Sequence, residues 1–237
     1  MMKIKTIIYD FDGTLTPYSV PQYEIITKRQ VTIPEFMNQV IQKAKQESRP
    51  LIQSYLMHYI EVIKKQGIPL TKETVCLGSE NIQFNPGTME FLQKNKQEKI
   101  KQLIITAGLE IYVKQTKIAP LVDGIYGSTF CQEKGKEDKI LLSMEKETKN
   151  KFIRQIVNEQ GEGKSIVYIG DGLTDKPAFQ EMKKWGGTSI YVYHTKEDKI
   201  NAEKLKEQKL IDYAFLADFT QGAELERWIN SNTKEEV

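Results

Sequence analysis

The sequence predicts an α/β protein with a doubly wound, mainly parallel sheet and a small all-helical cap domain inserted after the first strand. Two observations lead to this prediction. Short apolar runs alternate with helical patterns through most of the 237 residues, which is typical of a parallel sheet covered on both faces. Residues 17–84 break this alternation and contain helical patterns only. We therefore expect a core domain of residues 1–16 and 85–237, and a cap domain of residues 17–84.

The predicted strands are short runs rich in apolar and β-branched residues. Such runs favour the buried strands of a Rossmann-like parallel sheet, because helices cover both of its faces. Four of the runs are strong, and a fifth, nearer the C-terminus, is weaker. They are TIIYDF (6–11), QLIITA (102–107), SIVYIG (165–170) and SIYVYH (189–194), followed by the weaker YAFLAD (213–218).

Helical patterns separate most of these strands. The pattern at 87–97 begins directly after a proline, and the pattern at 147–161 ends on Gly161. A third pattern, at 174–187, begins with Thr174 as its expected cap. Strand and helix thus alternate as the doubly wound fold requires.

The cap segment has apolar residues three and four apart, as in amphipathic helices. Two such patterns are IPEFMNQVIQKAKQ (33–46) and PLIQSYLMHYIEVIKKQG (50–67). Thr32 and Glu35 flank Pro34 at the spacing of a capping box, which predicts a helix start at this point. The segment is too long and too periodic for a simple crossover connection, so we expect helices that pack over the strand ends.

The composition indicates a soluble protein with a sizeable core. The 34 lysines and arginines nearly match the 32 aspartates and glutamates, and a net charge of +2 gives no reason to expect nucleic acid. Cys76 and Cys131 form no CxxC pattern, so neither a zinc site nor a disulfide framework is expected. No apolar stretch has the length of a membrane span or a signal peptide. We expect a cytoplasmic protein with no nucleic-acid or membrane partner; the sequence does not predict its oligomeric state.

Pairs of aspartates follow two of the predicted strands. Asp10 and Asp12 come at the end of the first, while Asp171 and Asp175 follow the third strong run. A lone aspartate after a strand is commonly a turn former, but ligands of doubly wound sheets bind beyond the carboxyl ends of the strands. Several carboxylates that converge there repel one another unless a cation neutralises them, and an all-oxygen site suits Mg²⁺. Mg²⁺ in turn favours a phosphorylated substrate.

Four short motifs together resemble those of the haloacid dehalogenase superfamily of hydrolases. They are DFDGT at 10–14, Thr106 after the second strand, a lysine at a helix start, and GDGLTD at 170–175. The resemblance covers nearly the whole chain in order and spacing. It is closest to the phosphoserine-phosphatase-like branch, where ITAGLE (105–110) and IYGSTF (125–130) have counterparts and a helical cap lies between the first two motifs.

The resemblance implies Mg²⁺-dependent hydrolysis of a phosphate monoester. Asp10 would attack phosphorus and become an aspartyl phosphate. Asp12 would protonate the leaving oxygen and later deprotonate water; a dehalogenase lacks this acid, because a halide leaves without a proton. Mg²⁺ would be held by Asp10, the backbone carbonyl of Asp12, and Asp171.

Further positions would bind the phosphate. Thr106 would donate a hydrogen bond to a phosphoryl oxygen, and a lysine would offset the charge that develops there. Lys149 is favoured over Lys151 by the alignment of apolar positions, and Asp175 would orient that lysine or a metal-bound water. The remaining predicted positions of the phosphate loops are Gly13, Ala107, Gly108 and Gly172.

Several alternatives stay open at this point. A phosphotransferase or mutase of the same superfamily is one, and a non-catalytic ligand-binding member is another. His58 is expected to be a packed or surface residue and not a ligand, and the cap aromatics Phe36, Tyr55 and Tyr59 are expected to be mostly core residues, although one aromatic could face the substrate. His194 ends a strand and has no partner that the sequence identifies. The substrate is a small phosphorylated metabolite whose leaving group stays open between phosphoserine and lipid, sugar or nucleotide monophosphates.

Overall fold

The computed structural model describes residues 3–17, 32–131 and 139–233. Residues 18–31 of the expected cap domain therefore lie outside the described residues. The described ranges form a seven-stranded sheet in the order β4-β3-β2-β1-β5-β6-β7. Its strands are β1 (Thr6–Tyr9), β2 (Lys101–Leu109), β3 (Gly124–Phe130), β4 (Ile140–Leu142), β5 (Ile166–Gly170), β6 (Thr188–Tyr193) and β7 (Tyr213–Leu216).

The first strand lies in the middle of the sheet. β1 pairs in parallel with both β2 and β5, and the pairs β2–β3, β5–β6 and β6–β7 are parallel too. The pair β3–β4 is antiparallel. The chain thus builds outwards from β1 on one side and from β5 on the other, so the switch point of the sheet lies where β1 and β5 end. The predicted doubly wound, mainly parallel sheet is confirmed.

Two strands and one boundary differ from the prediction. β3 and β4 were not predicted as strands, because β3 (GIYGSTF) carries glycines and hydroxyl residues in place of an apolar run and β4 has only three residues. β2 does not end at residue 107 but continues to Leu109, with an irregular register between Ile105 and Leu109. The other predicted strands are present with slightly shifted ends.

Five of the described helices follow the predicted patterns at 33–46, 50–67, 87–97, 147–161 and 174–187, and the others were not predicted. The capping box at the first of them is present, since the Thr32 hydroxyl accepts from the amide of Glu35 and the Glu35 carboxylate accepts from the amide of Thr32. The predicted end at Gly161 is also present, with Gly161 in the left-handed region. The helices are α1 (Ile33–Gln46), α2 (Leu51–Lys65), α3 (Lys72–Val75), α4 (Thr88–Gln97), α5 (Glu110–Val113), α6 (Lys146–Gln160), α7 (Lys176–Lys184), α8 (Lys196–Glu207) and α9 (Glu224–Thr233).

The start of α7 differs from the prediction that Thr174 caps it. Leu173–Asp175 form a short 3₁₀ turn, and α7 begins at Lys176 with Asp175 in the capping position. Pro177 occupies the first turn of α7, where its missing amide costs no hydrogen bond. Thr174 is exposed, while the Asp175 side chain turns into the protein. The turn thus places an acid, and not a hydroxyl, at the end of β5.

Two apolar clusters cover the two faces of the sheet. On one face Phe91 of α4 and Leu225 of α9 pack against the strands. On the other face Ile153 of α6, Phe179 of α7 and Leu205 of α8 do so. Both faces of the sheet are therefore buried, which explains why its strands read as continuous apolar runs.

A third cluster joins the cap helices to the core. Phe36 of α1 and Leu56 of α2 pack in one cluster with two core residues. These are Leu109, the last residue of β2, and Tyr112 of α5. In its described residues, 32–84, the cap is helical as predicted, while the domain boundaries at residues 16/17 and 84/85 remain a prediction. Among the described helices, none has the length and apolar character that a membrane span requires.

Candidate active site

The candidate active site lies at the carboxyl ends of β1 and β5. The register of the two strands places Tyr9 beside Ile169, and the backbone amide of Asp10 donates to the carbonyl of Ile169 at 2.9 Å. Asp10 and Asp171 therefore leave neighbouring strands at the same edge of the sheet. This edge is the switch point, where open α/β sheets bind their ligands.

Three carboxylates meet at this edge. One oxygen each from Asp10, Asp171 and Asp175 lies within 4.8 Å of the other two. Burial, followed by the charge of Asp175, raises the pKa of Asp10 well above its usual value, although Lys149 opposes the shift. Burial, followed by the charges of Asp175 and Asp12, raises the pKa of Asp171 to about 7. The structure thus brings three of the predicted acids together and concentrates negative charge there.

Lys149 lies inside this group of acids. Its Nζ is 2.9 Å from Asp10 Oδ1 and 2.7 Å from Asp175 Oδ1, and the residue is buried. Burial lowers the pKa of Lys149, but the charges of Asp10 and Asp175 outweigh it, so the net pKa is raised and the ammonium stays protonated. Lys149 is four residues before the core residue Ile153, so both occupy the inward face of α6. Lys151, the alternative considered above, is exposed.

Asp175 is held by four hydrogen bonds. Its Oδ1 accepts from Lys149 at 2.7 Å and from the hydroxyl of Tyr168 at 2.5 Å. Its Oδ2 accepts from the backbone amides of Asp171 at 3.2 Å and Gly172 at 3.3 Å. A β-carbon at Gly170 would lie 2.6 Å from Asp175 Cγ, so glycine makes room for this carboxylate. Asp175 therefore anchors Lys149, and both of its oxygens are engaged within the protein.

The loop after β1 needs glycine at position 13. Gly13 has a φ of +80°, and a β-carbon there would lie 2.1 Å from Asp171 Oδ2. The Thr14 hydroxyl donates to Asp171 Oδ1 at 3.4 Å, so this loop is fitted against the end of β5. Gly172 differs, because its φ is not in the left-handed region and an added β-carbon would meet Thr174 Oγ1 at 3.2 Å and the Thr174 backbone nitrogen at 3.7 Å.

Thr106 and its neighbours form the second side of the site. The Thr106 hydroxyl accepts from the amide of Gly108 at 2.9 Å and lies 3.5 Å from Asp12 Oδ2, a long contact. The carbonyl of Ala107 accepts from the Ser128 hydroxyl at 2.8 Å. The hydroxyl of Thr106 therefore faces the half-buried Asp12.

The residues at this edge fit a hard divalent cation. Carboxylate oxygens are the donors that Mg²⁺ prefers, and the crowded acids need a positive charge near them. The engaged oxygens of Asp175 leave Asp10 and Asp171 as the carboxylates that could hold the ion. Asp12 is not part of the three-carboxylate group, so its expected contribution is the backbone carbonyl.

Two residues at the site were missed from the sequence. Tyr168 has its hydroxyl on Asp175, and its ring centroid lies 5.5 Å from Lys149 Nζ. Its position two residues before Gly170 was a signal, since alternating strand residues share a face. His194 Nε2 lies 2.6 Å from the carbonyl oxygen of Gly13, across 181 residues of chain, and no local pattern could have indicated that contact.

Helix α2 of the cap contacts the start of α6, the helix that carries Lys149. The backbone amide of Gln53, in the first turn of α2, donates to Glu145 Oε1 at 2.7 Å, and Glu145 directly precedes α6. Burial, and next the charge of Asp12, raises the pKa of the half-buried Tyr55. His58, Phe36 and Tyr59 are buried, as expected for packed cap residues. Of these cap aromatics, Tyr55 is therefore the one whose pKa the charge of Asp12 affects.

The fold combines an acidic centre at the switch point of the sheet with a helical cap, and the comparison with family models places it among enzymes of the hydrolase class. The chain belongs to the haloacid dehalogenase-like hydrolases, since the model of that family matches residues 4–183. The family resemblance and the expectation of an enzyme are thereby confirmed.

Individual relatives are more distant. An uncharacterized protein of Borreliella burgdorferi is 26% identical over 275 aligned positions, covering 95% of each chain. The structure is similar to a phospho-aspartyl intermediate analogue of phosphoserine phosphatase, with a TM-score of 0.66, 19% identity, and coverage of 97% of this chain and 99% of that one. It is also similar to cytosolic 5′-nucleotidase IIIB bound to cytidine, with a TM-score of 0.61, 19% identity, and coverage of 96% and 84%. These similarities concern the fold.

Proposed function

We propose that this hydrolase is a Mg²⁺-dependent phosphatase, which cleaves a small phosphate monoester through an aspartyl phosphate on Asp10. The observation that carries the proposal is the buried contact of Lys149 with Asp10, at 2.9 Å, at the carboxyl end of the central strand. A fixed ammonium beside a carboxylate nucleophile can neutralise the charge of a transferring phosphoryl group. Asp12, two residues further on, supplies the second acid that an alcohol leaving group requires.

The first step transfers the phosphoryl group to the protein. A carboxylate oxygen of Asp10 forms a bond to phosphorus, and the bond between phosphorus and the leaving oxygen breaks. Asp12 gives its proton to that oxygen, so the leaving group departs as a neutral alcohol and Asp12 becomes a carboxylate. Asp12 Oδ2 lies 3.5 Å from the Thr106 hydroxyl, so the acid is near the hydroxyl that would bind the phosphoryl group.

The second step releases phosphate. A water oxygen forms a bond to phosphorus, the acyl phosphate bond breaks, and its electron pair returns to the Asp10 carboxylate. Asp12 accepts one proton from the attacking water and so regains its starting form. Thr106 and Lys149 would bind phosphoryl oxygens in both steps, while Asp175 keeps Lys149 in place through the 2.7 Å contact.

The proposal includes Mg²⁺ as the cofactor. When bound, the ion supplies the positive charge that lets an anionic nucleophile approach an anionic phosphate. Asp10, Asp171 and the backbone carbonyl of Asp12 would hold it. Its support is the oxygen-only donor set and the crowding of three carboxylate oxygens within 4.8 Å.

The proposed substrate is a small phosphorylated metabolite in the cytoplasm. The cap is expected to choose the leaving group, and the pKa of Tyr55 in α2 is raised by burial first and then by the charge of Asp12. Phosphoserine phosphatase and a 5′-nucleotidase share the fold, so phosphoserine and nucleoside monophosphates are the first compounds to test. Sugar phosphates and lipid phosphates complete the panel. Cys76 and Cys131 are both free thiols, in keeping with a reducing compartment.

Hydrolysis of para-nitrophenyl phosphate by the purified full chain tests the reaction class. We expect release of nitrophenol and phosphate with Mg²⁺, loss of turnover in EDTA, and recovery when Mg²⁺ is added back. Asp10→Asn should abolish turnover, because an amide oxygen is a poor nucleophile. Full phosphate release by Asp10→Asn would overturn the assignment of the nucleophile, and unchanged activity in EDTA would overturn the role of the metal.

A further inference from the structure

The carbonyl group of Gly13 has an unusual partner. His194 Nε2 lies 2.6 Å from Gly13 O, although the two residues are 181 positions apart. A carbonyl oxygen can only accept a hydrogen bond, so Nε2 must carry the proton and donate it. The half-buried imidazole therefore ties the end of β6 to the loop that follows the proposed nucleophile.

The peptide group on the other side of Gly13 is also tied. The Gly13 amide donates to the Thr16 hydroxyl at 3.2 Å. That amide belongs to the same planar peptide as the carbonyl of Asp12 and lies on its opposite edge. The hydrogen bond to Thr16 therefore makes the Asp12 carbonyl point away from Thr16. His194 fixes the next peptide of the loop, between Gly13 and Thr14.

These two hydrogen bonds matter because Gly13 lies against Asp171. Gly13 has a φ of +80° and lies so close to Asp171 that a β-carbon would come within 2.1 Å of its Oδ2. A rotation of the peptide between Asp12 and Gly13 would reorient the Asp12 carbonyl, and a shift of the Gly13 backbone would change its contact with Asp171. Both groups belong to the set that the proposed function assigns to Mg²⁺.

His194 is itself held by its surroundings. It directly follows β6, whose residue Tyr191 pairs with Gly170 at the end of β5. The next residue, Thr195, begins α8 with a capping box: its hydroxyl accepts from the Asp198 amide at 3.1 Å, and its amide donates to the Asp198 carboxylate at 3.0 Å. The backbone on both sides of His194 is therefore fixed, as a residue that must position another group requires.

We propose that His194 is a positioning residue: its Nε2–H group holds the Gly13 carbonyl, and through it the orientation of Asp12 towards the metal and the substrate phosphate. The proposal rests on the proposed function and assigns to it a residue outside the four motifs. His194 touches neither the reacting atoms nor the ion. It acts by keeping the Asp12–Gly13–Thr14 backbone in the arrangement in which Gly13 lies against Asp171.

Two substitutions at position 194 test this role. His194→Gln keeps a side-chain N–H at similar reach, and His194→Leu keeps a similar volume without a donor. We expect His194→Leu to lower kcat on para-nitrophenyl phosphate about 10-fold and to weaken Mg²⁺ binding about 10-fold, as for other groups that orient a metal ligand. His194→Gln should recover most of both losses. KM should change much less than kcat, because the substrate contacts remain.

The measurements are steady-state kinetics, Mg²⁺ titration by calorimetry without substrate, and thermal unfolding of the full-length variants. Wild-type kcat and Mg²⁺ affinity in folded His194→Leu would overturn the proposal. Equal defects in His194→Gln and His194→Leu would overturn it too, since the donor would then be irrelevant. Wild-type protein that binds Mg²⁺ but hydrolyses no phosphate ester would refute the proposed function; the Mg²⁺ affinities of the variants would still test the role of His194.

Discussion

Lys149 Nζ lies 2.9 Å from Asp10 Oδ1, although 139 residues separate the two along the chain. Neither residue is exposed, and Asp175 holds the same ammonium from the other side at 2.7 Å. A buried lysine between two carboxylates is costly to form unless each charge is compensated. Side chains from the end of β1, from α6 and from the turn after β5 thus form one buried cluster of charges. The first predictions below concern this cluster.

Replacement of Lys149 should remove most of the activity. Lys149→Met loses the ammonium that would neutralise the phosphoryl group, so kcat/KM on para-nitrophenyl phosphate should fall by about 10²-fold or more. Lys151→Met is the matched control, because Lys151 is in the same helix but exposed, and it should behave like the wild type. A larger loss of kcat/KM in Lys151→Met than in Lys149→Met would show that Lys151, and not Lys149, is the phosphate-binding lysine.

The hydroxyl of Tyr168 should matter through Asp175. Tyr168→Phe keeps the ring near Lys149 but removes the 2.5 Å hydrogen bond to Asp175 Oδ1. We expect the free energy of unfolding to fall by about 1–2 kcal/mol, and kcat to fall because Asp175 holds Lys149 less firmly. Tyr213→Phe, at the exposed edge strand β7, is the control and should change neither quantity. An unchanged kcat in Tyr168→Phe would show that the Tyr168 hydroxyl has no role in the reaction.

Two glycines with similar backbone angles should respond differently to alanine. Gly13 has a φ of +80° and Gly161 a φ of +75°, so alanine at either position costs about 1 kcal/mol of backbone strain. A β-carbon meets nothing within 4 Å at Gly161, whereas at Gly13 it meets Asp171 Oδ2 at 2.1 Å. Gly13→Ala should therefore also weaken Mg²⁺ binding, measured by calorimetry, and Gly161→Ala should not. Equal Mg²⁺ affinities would contradict the close fit of the loop against Asp171.

The cap should lose stability in mild acid because of His58. Burial, and next the charge of Lys43, lowers the pKa of His58 below its usual 6.5, against the opposing effect of Glu61 and with a further contribution from Lys65. The unfolded chain then binds more protons at this site than the folded chain, so the contribution of His58 to the free energy of unfolding falls as the pH drops below about 6.5. Because the raised pKa values of Asp10 and Asp171 act in the opposite direction, the measured quantity is the difference between the wild type and His58→Leu in urea unfolding at about pH 7.5 and about pH 5.5. We expect the wild type to lose stability relative to His58→Leu at the lower pH; an identical pH dependence in both proteins would exclude this role of His58.

The acidic site could be predicted from the sequence because its residues are placed by local rules. Asp10 and Asp171 directly follow apolar strands, and parallel strands bring their carboxyl ends to one edge. Lys149 could be chosen over Lys151 because the apolar positions of α6 determine which face is buried. In each case a short stretch of chain carries enough information.

Features that depend on distant parts of the chain could not be predicted. β3 has no continuous apolar run, and β4 is too short to be recognised. The contact of His194 with Gly13 arises because β6 ends beside the loop of β1, which depends on strand order and register. The predicted start of α7 was wrong for a similar reason. The Asp175 side chain binds Lys149 and Tyr168 inside the protein. Asp175 therefore occupies the capping position of α7 without a side-chain hydrogen bond to the helix.

The most direct test of the central claim is detection of the phosphorylated residue. The full chain would be mixed with Mg²⁺ and a reactive phosphate monoester, quenched rapidly in acid, digested, and analysed by mass spectrometry. We predict a phosphoryl adduct on the peptide that contains Asp10, at the position of Asp10, and its absence in Asp10→Asn. Phosphate release at the wild-type rate with no adduct on Asp10, or with the adduct on another residue, would contradict the account.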